Sequence, residues 1–170
     1  MKRNNLYQKR IQGKKMISKD VNIYISYFHI DEYFKNLLND MIGENYKIKS
    51  SPQEYYIKNN FNSYMDQLNS TNNEENIFIV LVGTDTYRSV NVDWELEFGL
   101  THHDAILGLC LPTNDDYKKD VCTPKTTPTK LLNNLYTGYA SYFDWTDSFN
   151  DLSEYINIAV NNKLHRHALI

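Results

Sequence analysis

An aromatic residue followed at once by a carboxylate, Trp94–Glu95, stands where a helix would open after an apolar run that ends at Gly83. A carboxylate held beside a large apolar side chain, with little water near it, can stabilise positive charge developing on a substrate. The same glutamate could serve as a first-turn acid that stabilises a helix N-terminus, and the residues alone leave both roles open. Glu97, two positions on, should point to another face of the helix and be solvated. Ser26 and His29 have the types of a nucleophile and its base. A three-residue offset around a strand end is, however, far more often coincidence than a catalytic pair. His102, His103 and Asp104 are consecutive, which turns their side chains apart instead of onto one ion. Histidines there suit a helix C-terminus. His165 and His167 fall in a C-terminal tail, and Cys110 reads as a small core residue. No metal is expected. Residues 83–89 (GTDTYRS) hold one glycine and no lysine, so they cannot cradle a phosphate, and no GxSxG elbow occurs.

These side chains need elements to position them. Residues 21–27 (VNIYISY), 76–83 (NIFIVLVG), 105–111 (AILGLCL) and 139–145 (YASYFDW) have the length and apolar character of strands covered on both faces. Residues 46–49 (YKIK) alternate as an outer strand would. Helical spacing runs through Ile30, Phe34, Leu37, Leu38 and Met41, with Gly43 as a stop. It recurs in Ile57, Phe61, Tyr64, Met65 and Leu68, and in Phe149, Leu152, Tyr155, Ile156 and Ala159 behind a Ser148 cap. Residues 118–129 read as an irregular surface loop. Residues 90–100 alternate apolar with polar, which is a strand-like period. Two parallel strands flanking them need a crossover, however, so they are assigned to a helix. The expectation is an α/β, doubly wound, mostly parallel five-stranded sheet with helices on both faces.

In such a sheet the ligand site lies beyond the carboxyl ends of the strands. That rule selects Ser26, Tyr27, Phe28, His29 and Asp31 after the first strand, and 50–54 after the second. It then selects Gly83, Thr84, Asp85 and Thr86 with Asp93, Trp94 and Glu95, and finally Pro112, Thr113 and Asn114.

Composition bounds the rest. With 170 residues, 41% hydrophobic and 23% charged, the chain makes one domain and has the material for a core. A net charge of −3 argues against nucleic acid as a partner, and no apolar run approaches a membrane span. Two cysteines make no disulfide framework, so a cytoplasmic setting is expected. Residues 1–20 hold seven lysines and arginines against Asp20 alone, a net +6 that leaves −9 for the remainder. They form a basic arm, followed by a single domain over 21–165 and a tail over 166–170.

Residues 23–31 (IYISYFHID), then IFIVLVGTDTY, SVNVDWELEFGL and AILGLCLP, in that order, resemble the TIR-like domain family. Within it they are most similar to the TIR-like proteins of Thoeris antiphage systems. The likeness spans about residues 21–112; its most specific part is V-G-T-x-T-Y followed by the Trp94–Glu95 pair. The resemblance implies a flavodoxin-like fold and, in the enzymatic members, cleavage of NAD between nicotinamide and ribose. Glu95 matches the catalytic glutamate of those members, and Ser26 and Tyr27 match the polar and aromatic positions beside the nucleotide. His29, Asp31, Gly83, Thr84, Trp94 and Asn114 complete the expected substrate-binding set. A polar residue is expected after the fourth strand; Pro112 holds the nearest position and Asn114 lies two residues later. Tyr55 or Tyr56 would stack from the loop after the second strand. NAD enters as substrate, with no cofactor. The implied product is an ADP-ribose derivative, its ribose captured by water, by adenine of the same molecule or by another nucleophile. That product would activate a separate effector protein. Two other readings stand beside this one: a non-catalytic assembly module, with homo-oligomerisation, and a nucleoside deoxyribosyltransferase-like enzyme.

Overall fold

A strand whose every residue is buried must be covered on two sides, and β1 (Val21–Ser26) and β4 (Ala105–Cys110) are of this kind. The computed structural model describes residues 21–49 and 75–170. Its remaining strands are β2 (Lys47–Lys49), β3 (Glu75–Val82) and β5 (Ser141–Asp144). All neighbours pair in parallel, in the order β2-β1-β3-β4-β5. The helices are α1 (Glu32–Ile42), α2 (Val90–Thr101), α3 (Thr129–Thr137) and α4 (Phe149–His165). Short 3₁₀ turns at His29–Asp31 and Thr86–Arg88 lead into α1 and α2.

Side chains alternate across the sheet with the two-residue period of a strand. Tyr24, Phe78, Val80, Ile106 and Tyr142 face α2 and α3, meeting Val92, Leu96, Leu131 and Leu135. Ile23, Ile25, Ile79, Leu81 and Leu107 face α1 and α4, meeting Leu38, Ile42, Leu152 and Ile156. The doubly wound expectation therefore holds, and the sheet is wholly parallel. The chain leaves β1 toward β2 on one side and returns to β3 on the other, so the switch point lies between β1 and β3.

Residues 90–100 form a helix despite their alternation. Their buried positions, Val92, Glu95, Leu96, Gly99 and Leu100, follow helical spacing, and Phe98 is buried beside them. Ser89 caps the helix, its Oγ accepting from the Val92 N–H at 3.3 Å. Ser148 caps α4 likewise, on Asp151 N–H at 3.3 Å.

Three sequence readings need correction. α3 falls within residues left unassigned, although Leu131, Leu132 and Leu135 have helical spacing and Gly138 ends the helix at φ 74°. The stretch 118–129 is more than a surface loop. Asp116 Oδ2 accepts the Thr126 hydroxyl at 2.5 Å and the Thr123 N–H at 2.8 Å. Cys122, Thr126 and Thr127 are buried with it. His165 closes α4 and does not lie in a tail, and beyond it Leu169 bonds through both backbone groups to Asn134 of α3. The basic arm, the 57–68 helix and Tyr55 and Tyr56 lie outside the described residues.

Candidate functional site

The carboxyl edge of the sheet carries the predicted residues in two groups. The first is a pair. Ser26 ends β1 with its side chain on the α2 face, following Tyr24 by the strand period. Its hydroxyl donates to Glu95 Oε2 at 2.5 Å, across 69 residues of sequence. Glu95 is only 8% exposed. It is the sixth residue of α2, one turn beyond the end that a helix dipole stabilises. Asp93 is the acid of the first turn. A dipole role therefore does not account for Glu95; its place on the buried stripe puts a carboxylate against the end of β1. Trp94, its neighbour, is half-buried against the core between the sheet and α2.

The second group surrounds Gly83. Asp31, 2% exposed, lies so close to Gly83 that an added Cβ would stand 2.3 Å from both carboxylate oxygens. Thr113 Oγ donates to Asp31 Oδ1 at 3.4 Å. Thr86 Oγ lies 3.3 Å from Asp31 Oδ2 and 3.2 Å from the Leu81 carbonyl, one proton serving either, while accepting the Gly83 N–H at 2.9 Å. Burial pushes the Asp31 carboxyl pKa up, opposed by the bonds from Thr86 and Thr113 and by His29; Asp85 adds to the rise. Asn114 is buried and fully engaged: its amide donates to the Gly83 and Thr126 carbonyls at 2.9 and 3.1 Å, and its oxygen accepts Asp116 N–H. Thr84 is exposed and donates to the Thr113 carbonyl at 2.5 Å.

The structure thus brings Asp31, Gly83, Thr84 and Asn114 into one network through Thr86 and Thr113, and Ser26 and Glu95 into another. Asp31 and Asn114 brace the loops; Ser26 and Glu95 form a separate buried pair that joins the end of β1 to α2. His29 is exposed, its ring 4.2 Å from Phe28, and Tyr27 is half-buried against the α1-face core. Pro112 is exposed. Glu97 is not simply solvated, because Lys130 Nζ lies 3.3 Å from its Oε2 and also bonds Asp93. Sequence reading missed Lys130, which lies at the start of the unassigned helix. Among the described residues no three His, Cys, Asp or Glu side chains could hold a metal ion. No described helix is long and apolar enough to cross a membrane.

A buried acid also lies at the opposite edge. The last turn of α2 closes with Asp104 N–H on the Gly99 carbonyl at 2.8 Å and His103 N–H on that of Leu100 at 3.1 Å, His103 having φ 58°. Asp104, 4% exposed, then sits beside Asn76 of β3, with His102 and with Lys163 of α4 nearby. Its carbonyl takes the Tyr139 hydroxyl at 2.7 Å, and its Oδ2 has no hydrogen-bond partner among the described residues. Burial raises the carboxyl from 3.8 to about 6, against the opposing pull of Lys163, Asn76 and His102. A carboxyl with a raised folded-state pKa favours folding below the unfolded value, and that contribution is lost as pH rises through the folded value. Stability should therefore fall between about pH 4 and 6. Two pKa units correspond to about 3 kcal/mol. Asp104→Asn keeps an acceptor for Asn76 but adds a donor to place. The substitution should raise stability at pH 7 by about 1–2 kcal/mol and flatten that slope, as measured by urea unfolding at pH 4, 6 and 7.

A family model described as the TIR-like domain of Thoeris protein ThsB matches residues 24–116, just over half of the chain. The match begins at Tyr24 within β1 and takes in β3, α2, β4 and both networks at the carboxyl edge. No curated protein matches the chain. With its parallel 2-1-3-4-5 sheet and this match, the chain belongs to the TIR-like domain family of the Thoeris protein ThsB.

Proposed function

We propose that the protein cleaves NAD between nicotinamide and ribose, with Glu95 as the carboxylate that faces the sugar. The reading rests on membership of the Thoeris TIR-like family and on one observation, the buried Ser26–Glu95 hydrogen bond at the switch-point edge of the sheet. The nicotinamide of NAD is cationic and leaves neutral, so its departure needs little acid help. Positive charge develops instead on the ribose, as in the oxocarbenium-like transition state of glycoside hydrolysis. A carboxylate fixed in a site with little water stabilises that charge without reorganising. Ser26 supplies the fixing, by holding Oε2. Glu95 can also accept hydrogen bonds from ribose hydroxyls. Trp94 adjoins Glu95 in α2, Tyr27 follows Ser26 but packs toward the α1 face, and the Asp31–Gly83 network braces loops at the same edge of the sheet.

The product on this reading is an ADP-ribose derivative, linear or cyclic, that signals to a separate effector in the Thoeris defence. A second reading, an assembly module without catalysis, is favoured by exposed Ile30, Tyr33 and Val90 on the same edge and by Pro112. Incubation of the purified protein with NAD, with and without lysate of phage-infected cells, separates the two. Nicotinamide release supports the enzyme; intact NAD in both conditions overturns it, and concentration-dependent assembly then supports the module. Base release from deoxynucleosides with NAD intact would instead indicate a deoxyribosyltransferase-like activity.

A further inference from the structure

Lys130 reaches from α3 to α2, where its ammonium bonds the Asp93 carboxylate and lies 3.3 Å from Glu97 Oε2. Asp93 and Glu97 are four residues apart and share one helix face. Glu95 is two residues from each, about 200° around the helix, and it points to Ser26 of the sheet. One cation therefore grips the outer side of the turn whose inner side carries Glu95. Burial pushes the Lys130 pKa down, but the two carboxylates outweigh it and hold the ammonium above its ordinary value. Lys130 is itself held from behind. The amide of Asn134, one turn on and fully buried, donates to the Lys130 carbonyl at 2.9 Å and is locked to both backbone groups of Leu169.

We infer that Lys130 is a positioning residue for Glu95: by bridging Asp93 and Glu97 it fixes the rotation of α2 and so the aim of Glu95 toward Ser26. The inference rests on the reading of Glu95 as the carboxylate acting at the ribose. Half-exposed ion pairs contribute little to stability, so the consequence is in geometry, and small displacements of a reacting group slow catalysis severalfold or more. Without the cation, Asp93, Glu95 and Glu97 place three carboxylates within five residues, and their repulsion acts on the same turn.

The test compares Lys130→Met and Lys130→Arg. For Lys130→Met, kcat for nicotinamide release should fall about tenfold, with KM within about twofold and melting within a few degrees of the parent. Lys130→Arg should restore most of kcat. Combined with Glu95→Gln, Lys130→Met should add no further loss. A parental kcat in Lys130→Met, or an undiminished loss in the Glu95→Gln background, overturns the inference. A readout independent of activity is the carboxyl ¹³C resonance of Glu95, assigned by its disappearance in Glu95→Gln. It should move in Lys130→Met and stay in Lys130→Arg; an unchanged resonance in Lys130→Met overturns the role. Absence of nicotinamide release by the unsubstituted protein would overturn the NAD reading instead, and the resonance would still decide the role of Lys130.

Discussion

Glu95→Gln should lower kcat for nicotinamide release by about 10²–10³-fold while leaving KM within a few-fold and the fold intact. The substitution is nearly isosteric, and the Gln carbonyl can still accept the Ser26 hydroxyl that now meets Oε2 at 2.5 Å. What disappears is the negative charge. A fixed group of this kind facing developing charge contributes on the order of 3–4 kcal/mol, and each 1.4 kcal/mol or so is a factor of ten in rate. The loss falls on kcat because the ribose carries its extra positive charge only in the transition state. Ser26→Ala keeps the charge and removes its orienting bond, so a smaller loss of about tenfold is expected. The measurement is steady-state nicotinamide release by chromatography, with urea unfolding to establish equal folding. Unchanged turnover in Glu95→Gln would move the chemistry away from this residue.

Gly83→Ala should cost about 3–4 kcal/mol, and the cause is not backbone strain. Gly83 does not adopt a positive φ. The new methyl would meet both oxygens of Asp31 at 2.3 Å, and Asp31 is buried with Thr86 and Thr113 against it. Overpacking of a tight site costs about 1–3 kcal/mol. Displacing a buried carboxylate from its hydrogen bonds adds about 1–3 kcal/mol. For a chain of this length the two together should lower Tm by about 10 °C. The check is a double-mutant cycle in thermal unfolding. In the Asp31→Ala background the obstructing group is gone, and Gly83→Ala should cost less than about 1 kcal/mol. Equal costs in both backgrounds would show that the carboxylate is not the obstacle.

Much of this architecture was legible because burial on two faces leaves a plain trace. Unbroken apolar runs between helical spacings can only be parallel strands with crossovers, and their order gives the carboxyl edge where a site must lie. Glu95 stood among several candidates at that edge, and the resemblance to the TIR-like family singled it out; once α2 is a helix it falls on the stripe of Val92, Leu96 and Gly99. The alternation in 90–100 obscured this because α2 is covered by both the sheet and α3, which leaves apolar residues on more than one side. α3 itself went unread because Asn133 and Asn134 break its apolar pattern, and Asn134 is buried for its bonds to the tail rather than for hydrophobicity.

Residue order alone determined the doubly wound sheet and the edge on which chemistry would sit. Both follow from periodicity, which is a local property of the chain, whereas the choice of Glu95 among the carboxylates at that edge rests on the resemblance to the TIR-like family. Tertiary structure decided which polar residues meet: Ser26 with Glu95, Asp31 with Gly83 and Thr113, Lys130 with Asp93 and Glu97. Residue types carry no record of such partners, because a hydrogen bond or ion pair depends on distances set by the packing of elements far apart in sequence. The division of the predicted residues into loop braces and a buried acid–hydroxyl pair was therefore decided by the fold.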